Sequence, residues 1–232
     1  MADEETPDQV EIEHIRRLGG DLGPVFHAVW NDHAALCVTW QEYREAFGTS
    51  PERVELLNSA AGFFFRIVQD TFWEHILLHL CRLTDPVKSV GRPPRPNLTL
   101  AVLPQLIDDL ALRAEVTALA DQAIAATAFA RDWRNRHISH RDLALALNSG
   151  ARPLASASRK QVSDALSAIH AVLNKISERL LESTAATDVI PPPTGAVTLL
   201  LLLRQGLEAR DARRERLRRG EPLPGDVGPR AV

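Results

Sequence analysis

The segment Arg134–His140 carries the side chains best suited to chemistry in this sequence. Arg134 presents a planar fork of donors that can hold a phosphate group. Six positions further on, His140 can move the proton of a ribose 2′-hydroxyl or of a leaving oxygen, because an imidazole exchanges protons at neutral pH. Asn135 can orient either group or the substrate. Together these residue types predict cleavage of an RNA phosphodiester without a metal ion.

A competing register of the same pattern lies three residues earlier. Arg131 and His137 have the same separation, with Asp132 in the position that Asn135 takes in the first register. The register with Asn135 is preferred, because an amide repels phosphate less than a carboxylate does. The neighbouring cations that we expect to contact RNA are Arg131, Arg136, His137 and Arg141.

Hydrophobic side chains recur every three to four residues along most of the chain, and the alternation typical of strands is nearly absent. This periodicity predicts an all-α bundle of about four main helices with an appended C-terminal helix. Ser158 and Gln161 have the spacing of a capping box, which marks the start of the fourth main helix. The other predicted helices span residues 24–47, 51–84, 99–109, 112–136 and 195–219.

The motif lies at the end of the predicted third long helix, which creates a geometric problem. Positions six residues apart on a straight α-helix point about 120° away from each other, so Arg134 and His140 cannot converge on one phosphate from it. Either the helix breaks near residues 137–139, or a second copy of the chain completes the site in a symmetric dimer. The second helix, residues 51–84, is apolar nearly all round, which is typical of a central or interfacial helix.

Other histidines carry weaker functional predictions. His75 and His79 have a spacing that can hold a metal ion on one helix face, but no third ligand accompanies them in the sequence. We therefore predict no metal site and expect these side chains to serve packing and hydrogen bonding. His33, on the first predicted helix, receives the same interpretation.

The sequence His140-Arg141-Asp142-Leu143 resembles the start of the catalytic-loop motif of protein kinases. The sequence has neither the Gly-rich loop nor the strand-rich lobe that a kinase needs. We interpret Arg141 as a second phosphate contact, and Asp142 as its ion-pair partner or as a helix-start acid.

Two further regions are rich in cations. The Pro-rich connection 86–96 is expected to be stiff or disordered, and its cations fit either a clamp on RNA or the solvation of a loop. Near the C-terminus, residues 208–219 contain six arginines and three acids, which is typical of a solvated helix face with internal ion pairs. The cations at the Pro-rich connection are Arg82, Lys88, Arg92 and Arg95.

Composition bounds the class of protein. The 232 residues have a net charge of −3 and a hydrophobic content of 45%, which is ordinary for a globular chain without a global basic field. Cys37 and Cys81 are expected to be buried free thiols. No basic segment followed by an apolar run opens the sequence, and the longest apolar stretch, Ala196–Leu203, is far shorter than a bilayer span. We therefore expect a soluble, cytoplasmic protein with no membrane partner.

The helical pattern with Arg134-Asn135-x4-His140 at the end of its third long helix resembles the HEPN superfamily of helical ribonucleases. The wider sequence resembles the abortive-infection AbiU-type branch of that superfamily, over roughly residues 25–185. The segments that carry the resemblance are Phe63–Gln69, Leu77–Pro86, Asn97–Leu100 and Phe129–Asp142.

The resemblance implies that Arg134 and His140 are the catalytic pair, that Asn135 supports them, and that the working unit is a homodimer. It implies a metal-independent endoribonuclease without a cofactor, with RNA as substrate and a cognate antitoxin as a further partner, in phage defence or a toxin–antitoxin system. Some members of the superfamily lack catalysis, so the alternative is a non-catalytic module that binds RNA or a protein partner.

The expected organisation has three parts. Residues 1–23 would form an acidic N-terminal tail, because residues 1–13 hold six acids and no base. Residues 24–185 would form the HEPN-like helical domain. Residues 186–232 would contain a Pro-rich linker, the Arg-rich helix and a disordered end.

Overall fold

The computed structural model describes residues 7–184 and 194–227. Helices dominate this part of the chain and no strand occurs in it, so the all-α prediction is confirmed. The α-helices are α1 (Pro7–Tyr43), α2 (Pro51–Thr84), α3 (Leu110–Ala126), α4 (Ala128–Trp133), α5 (Leu143–Ala146), α6 (Arg159–Ile176) and α7 (Ala196–Arg219). Turns of 3-10 or π-helix occupy Leu100–Leu106, Arg44–Gly48, Arg134–Ile138 and Ser177–Leu181.

The first helix begins much earlier than the hydrophobic pattern predicts. α1 starts at Pro7, so the residues from there to position 23 are helical apart from a kink at Gly19, where φ is 86° and ψ is 169°, and they do not form a tail. Leu22 and Phe26 are one turn apart and both buried, which extends the apolar face into the segment expected to be a tail. The acids of that segment remain compatible with a helix because some are paired, as Glu13 is with Arg16 at 2.6 Å.

The predicted third long helix is two helices. α3 ends at Ala126 and α4 begins at Ala128, because Thr127 leaves the helical conformation at φ −95° and ψ 6°. The Thr127 hydroxyl donates to the carbonyl of Ala123 at 3.1 Å and lies 2.8 Å from the hydroxyl of Thr84. A threonine that bonds back to its own helix favours such an interruption.

One shorter segment also differs from the sequence-based prediction. The helix predicted over residues 99–109 is a 3-10 turn, Leu100–Leu106, which begins after the capping side chain of Thr99. Of the two states predicted for the Pro-rich connection, stiff or disordered, the structure shows an ordered one: its two sides form a hairpin in which the N–H of Ser89 donates to the carbonyl of Arg95 at 2.9 Å.

The chain divides into two compact units, and the first comprises residues 1–40 and 73–190. In this unit α6 begins with the capping box of Ser158 and Gln161, as the sequence predicts. One face of α6 supplies much of the core, and burial of such apolar side chains is the main force that stabilises a helical unit. The buried side chains of α6 include Val162, Leu166, Ile169, Leu173 and Ile176.

The second unit comprises residues 41–72 and 191–232. Its core is small and consists of Leu57, Phe65 and Leu200 with a few partly buried neighbours. After α7 the chain folds back, and the buried Asp226 accepts hydrogen bonds from Arg216 at 2.8 and 2.9 Å. The prediction of a disordered C-terminal end is therefore wrong for residues before 228. The predicted Pro-rich linker lies outside the described residues.

No helix in the described part of the chain is long and apolar enough to cross a membrane.

Candidate active site

The helix that carries the motif ends before its histidine. α4 passes into a π-helical turn in which the N–H of Ser139 donates to the carbonyl of Arg134 at 2.8 Å. The N–H of Asp142 then donates to the carbonyl of Arg136 at 3.0 Å, so the chain leaves the helical path. His140 lies in this turn. The structure thus contains the helix break that was one of the two solutions to the straight-helix mismatch.

Arg134 is held by an acid outside the motif. Its Nη1 donates to both carboxylate oxygens of Asp85 at 2.7 and 2.6 Å, and its Nε donates to Oδ1 of Asn135 at 3.1 Å. Burial disfavours the charged guanidinium, but the hydrogen bond and the charge of Asp85 outweigh it and raise the pKa of Arg134 above its ordinary value. Arg134 is therefore a fixed cation.

Of the three guanidinium nitrogens of Arg134, Nη2 has no hydrogen-bond partner among the described residues, whereas Nη1 and Nε both have one. A guanidinium has five N–H donors in a rigid plane. When two of its nitrogens are held by Asp85 and Asn135, the third can donate to an anion without reorganisation of the group.

His140 lies exposed beyond the helix end. Within residues 7–184 and 194–227, nothing forms a hydrogen bond, ion pair or ring contact with its side chain. The imidazole is accessible to a substrate on the surface that follows the π-helical turn. Accessibility of this kind is what a group that exchanges protons with a bound substrate requires.

Arg141 and Asp142 do not form an ion pair, which was one of the two interpretations of Asp142. Asp142 accepts the N–H of Leu145 at 2.8 Å and so starts α5, which confirms the interpretation as a helix-start acid. This hydrogen bond contributes most to lowering the pKa of Asp142. The nearest cation of Asp142 is Arg136, whose Nε is 3.6 Å away, and Arg141 is left exposed.

Arg131, the arginine of the competing register, joins two helix ends. Its Nη1 donates to the carbonyl of Ile124 at 2.8 Å, and its Nη2 donates to the carbonyl and hydroxyl of Thr84 at 2.6 and 2.8 Å. Carbonyls at helix C-termini have no partner within the helix, so these bonds satisfy them. The histidine of that register, His137, is exposed and contacts Trp133 edge to face, with the ring centroids 5.5 Å apart.

Arg136 also makes its contacts within the protein. Its Nη2 donates to the carbonyl of Arg152 at 2.5 Å, and its Nη1 lies 3.4 Å from the carboxylate of Asp132. Asp132 accepts the N–H of Ala155 at 2.7 Å, and this bond is the main cause of its lowered pKa. Of the four cations expected to contact RNA, the two that remain exposed are His137 and Arg141.

Asp85 belongs to the candidate site through its bonds to Arg134, and the sequence motif does not identify it. It precedes Pro86 at the end of α2, within a segment that contributes to the family resemblance. Asp85 and Arg134 are 49 positions apart in the sequence, so no local sequence pattern predicts that they pair. Its one sequence signal was an acid directly after a predicted helix end, which is too common to single out a partner.

A group of histidines lies in the first unit, but the described residues show no metal site there. His33 is 5% exposed, and its pKa is lowered to about 4, first by burial and then by His170 and His79. His79 is buried with no hydrogen-bond partner for either ring nitrogen among the described residues, so the hydrogen bonding expected of it is wrong. In residues 7–184 and 194–227, no group of three or more His, Cys, Asp or Glu side chains could hold a metal ion.

Residues 20–197 match the model of the HEPN_AbiU2 family, described as AbiU2. The matched range contains both Asp85 and the whole of the segment Arg134–His140. No curated protein and no solved structure matches the chain.

Proposed function

The chain belongs to the HEPN_AbiU2 family, an abortive-infection type of HEPN module, and we propose that it is a metal-independent endoribonuclease. In this proposal it acts in phage defence or as the toxin of a toxin–antitoxin pair, with a cognate antitoxin as its partner. The observation that carries the proposal is the arrangement of Arg134, whose guanidinium is fixed by Asp85 while its Nη2 has no hydrogen-bond partner among the described residues, and which begins the π-helical turn that leads to His140.

The RNA supplies its own nucleophile in this reaction. The ribose 2′-oxygen forms a bond to the adjacent phosphorus, while the bond from phosphorus to the 5′-oxygen of the next nucleotide breaks. The 2′-hydroxyl proton passes to a base, and the departing 5′-oxygen gains a proton. His140 performs one of these two transfers, and the products are a 2′,3′-cyclic phosphate and a 5′-hydroxyl.

Arg134 acts on the phosphate in the same step. Negative charge on the non-bridging oxygens increases as the 2′-oxygen attacks, and Nη2 stabilises it through a charge-assisted hydrogen bond. Asp85 and Asn135 hold the plane of the guanidinium before the RNA binds. A donor that is already oriented loses little conformational freedom on binding. Less of its interaction energy is then offset by lost entropy, and the transition state is stabilised more.

The growth effect of the protein tests the proposal most simply. Wild type, Arg134→Ala and His140→Ala are expressed at equal protein levels, with His75→Ala as a control because His75 is an exposed histidine outside the motif. We expect toxicity that disappears in both motif variants and persists in the control. A folded His140→Ala protein with the full biological effect would instead select the non-catalytic module that binds RNA or a protein.

The proposed working unit is a homodimer in which two copies of the Arg134–His140 segment share one cleft. Three apolar side chains of α2 support self-association, because monomeric proteins rarely expose large neighbouring apolar groups. Phe63 is 84% exposed, Phe64 59% and Ile67 50%. A second copy around the cleft would bring a further exposed His140 to the same substrate.

A further inference from the structure

The hairpin formed by residues 86–97, called the cationic arm below, is ordered by its own backbone. The N–H of Ser89 donates to the carbonyl of Arg95 at 2.9 Å, and the N–H of Asn97 donates to the carbonyl of Val87 at 2.8 Å. The N–H of Arg95 also donates to the hydroxyl of Ser89 at 3.0 Å. The side chains of its cations take no part in these bonds. The arm therefore has a fixed shape that does not depend on its charges.

The cationic arm carries positive charge that no acid among the described residues neutralises. No acid occurs between Asp85 and Asp108 in the sequence. Lys88, Arg92 and Arg95 are all exposed, and no described residue forms an ion pair with any of them. Three like charges on a short hairpin repel one another, so their presence costs stability unless a partner supplies the opposite charge.

The arginines of α7 show a different arrangement of cations in the same chain. Arg210 and Arg214 lie 3.2 and 3.6 Å from Asp211, and Arg218 and Arg219 lie 3.7 and 2.9 Å from Glu215. Acids one turn away are the usual way to solvate an Arg-rich helix at little electrostatic cost. The cationic arm has no such acids, so simple solvation does not account for it.

The cationic arm begins directly after Asp85, the ion-pair partner of Arg134. Asp85 directly precedes it, and the backbone carbonyl of Asp85 accepts the hydroxyl of Thr99 at 2.8 Å. The side-chain amide of Asn97 closes the base of the hairpin by donating to the carbonyl of Pro86 at 2.8 Å. A strand held at the Arg134 guanidinium would therefore begin next to the base of the arm.

We infer that the cationic arm binds the phosphate backbone of single-stranded RNA outside the scissile phosphate. The inference rests on the proposed function, because it assigns the arm to the substrate of that site. Lys88, Arg92 and Arg95 contact phosphates, which makes the contact independent of base sequence. Each phosphate contact on a single strand adds about 0.7 to the dependence of log K on log salt, so three contacts add about 2.

Binding is measured with the catalytically silenced His140→Ala protein and a fluorescent single-stranded RNA of mixed sequence, between 50 and 200 mM salt. The test variant adds Lys88→Ala, Arg92→Ala and Arg95→Ala. The matched control adds Arg210→Ala, Arg214→Ala and Arg218→Ala, which removes the same charge from residues that have acidic partners. In the test variant, we expect the slope of log K against log salt to become less steep by about 2, and the affinity at 50 mM salt to fall at least tenfold. In the control, we expect the slope and the affinity to stay close to those of the parent.

A charge-retaining variant separates loss of charge from loss of folding. Lys88→Arg, Arg92→Lys and Arg95→Lys should keep the affinity and the slope of the parent, because phosphate contacts depend mainly on charge. Unchanged affinity and slope in the alanine variant would overturn the inference, as would equal losses in the α7 control. Cleavage is followed separately in the His140 wild-type background. If RNA binding depends on the cationic arm but the protein cleaves no RNA, only the proposed endoribonuclease activity is rejected. If the protein cleaves and binds RNA equally well with and without the charges of the arm, only the role of the arm in RNA binding is rejected.

Discussion

At the scale of single residues, the proposed site depends on the interaction between Arg134 and Asp85. The side chain of Arg134 is 25% exposed, and that of Asp85 is 23% exposed, so the pair is shielded from water on most sides. A carboxylate at this distance weakens the net charge that a phosphate meets, but it fixes the guanidinium in one orientation. In the proposed reaction Asp85 is a positioning residue, since it acts through Arg134.

Replacement of Asp85 by Asn should lower the rate of RNA cleavage with little change in KM. Asn keeps one acceptor but loses the charge and one of the two bonds to Nη1, so Arg134 is no longer held in place. Small misplacements of a catalytic group cost up to about 100-fold in rate. Kinetics of cleavage give the kcat and KM separately, with Asp70→Asn, which loses an exposed ion pair with Arg66, as the control. An unchanged or faster kcat would show that Asp85 does not position Arg134.

His140→Ala should lose far more activity than His137→Ala. Loss of a positioned acid or base typically costs about 10²- to 10⁴-fold in rate, whereas His137 contacts the ring of Trp133 and belongs to the register whose arginine is bound to backbone carbonyls. Single-turnover cleavage rates of both variants make the comparison. Equal losses would leave the two registers unresolved, and a large loss confined to His137 would move the site to Arg131.

At the residue scale the sequence predicted the candidate groups but not their surroundings. The motif Arg134, Asn135 and His140 was found from residue types and spacing alone. The contacts that occupy Arg131 and pair Arg134 with an acid come from residues 47 and 49 positions away. Such contacts depend on how helix ends meet in space, which no local pattern contains.

At the scale of helices, periodicity located the buried faces better than it located the breaks. The stripe of α6 and its capping box were predicted correctly, because a 3.6-residue repeat and a cap are local features. The interruption at Thr127 was missed because threonine is tolerated within helices and its hydroxyl bonds to both Ala123 and Thr84 here. The early start of α1 was missed because residues 1–13 are acidic and because Gly19, at φ 86°, interrupts the helix before the first buried apolar residue, Leu22.

His33, one of two buried histidines in α1, should make the protein less stable in weak acid. The pKa of His33 is about 4 in the folded state, against an ordinary value of 6.5. Between these two pH values the unfolded chain binds a proton at His33 that the folded chain does not bind. The contribution of the neutral His33 to the free energy of unfolding is therefore fully present above pH 6.5 and is lost as the pH falls towards 4. Between pH 7 and pH 5 this one group lowers the free energy of unfolding by about 2 kcal/mol.

Urea unfolding at pH 7 and pH 5 measures this effect. His33→Leu should show a smaller loss of stability at pH 5 than wild type, because the titrating group is gone, and His75→Leu on the exposed surface serves as the control. The same pH dependence in His33→Leu and wild type would assign the loss to other groups.

At the scale of the whole molecule, the family match and the two compact units do not have the same boundaries. The match covers residues 20–197, whereas the first unit combines residues 1–40 with 73–190. The sequence predicted one helical domain and two appendages, because hydrophobic periodicity shows which face of a helix is buried but not which other segments bury it. Residues in the middle of the predicted domain instead form a small core with α7.

The proposed homodimer predicts that specific activity depends on protein concentration. Sedimentation and RNA cleavage are measured at the same protein concentrations, and specific activity should fall as the dimer dissociates. Phe63→Ser combined with Ile67→Ser removes exposed apolar side chains of α2 and should shift the equilibrium towards monomer, because these side chains support the proposed self-association. Full specific activity in a strictly monomeric sample would contradict the shared cleft.

Cleavage of an RNA at a single mapped linkage tests the central claim most directly. The substrate is prepared with ribose throughout, and again with 2′-deoxyribose at the nucleotide that supplies the attacking oxygen, and both are incubated with the protein in excess EDTA. If the RNA provides the nucleophile and Arg134 and His140 provide the catalysis, the all-ribose substrate is cut to a cyclic phosphate and a 5′-hydroxyl, and the modified linkage stays intact. Cleavage at the deoxy linkage, or activity that EDTA abolishes and a divalent ion restores, would contradict the account.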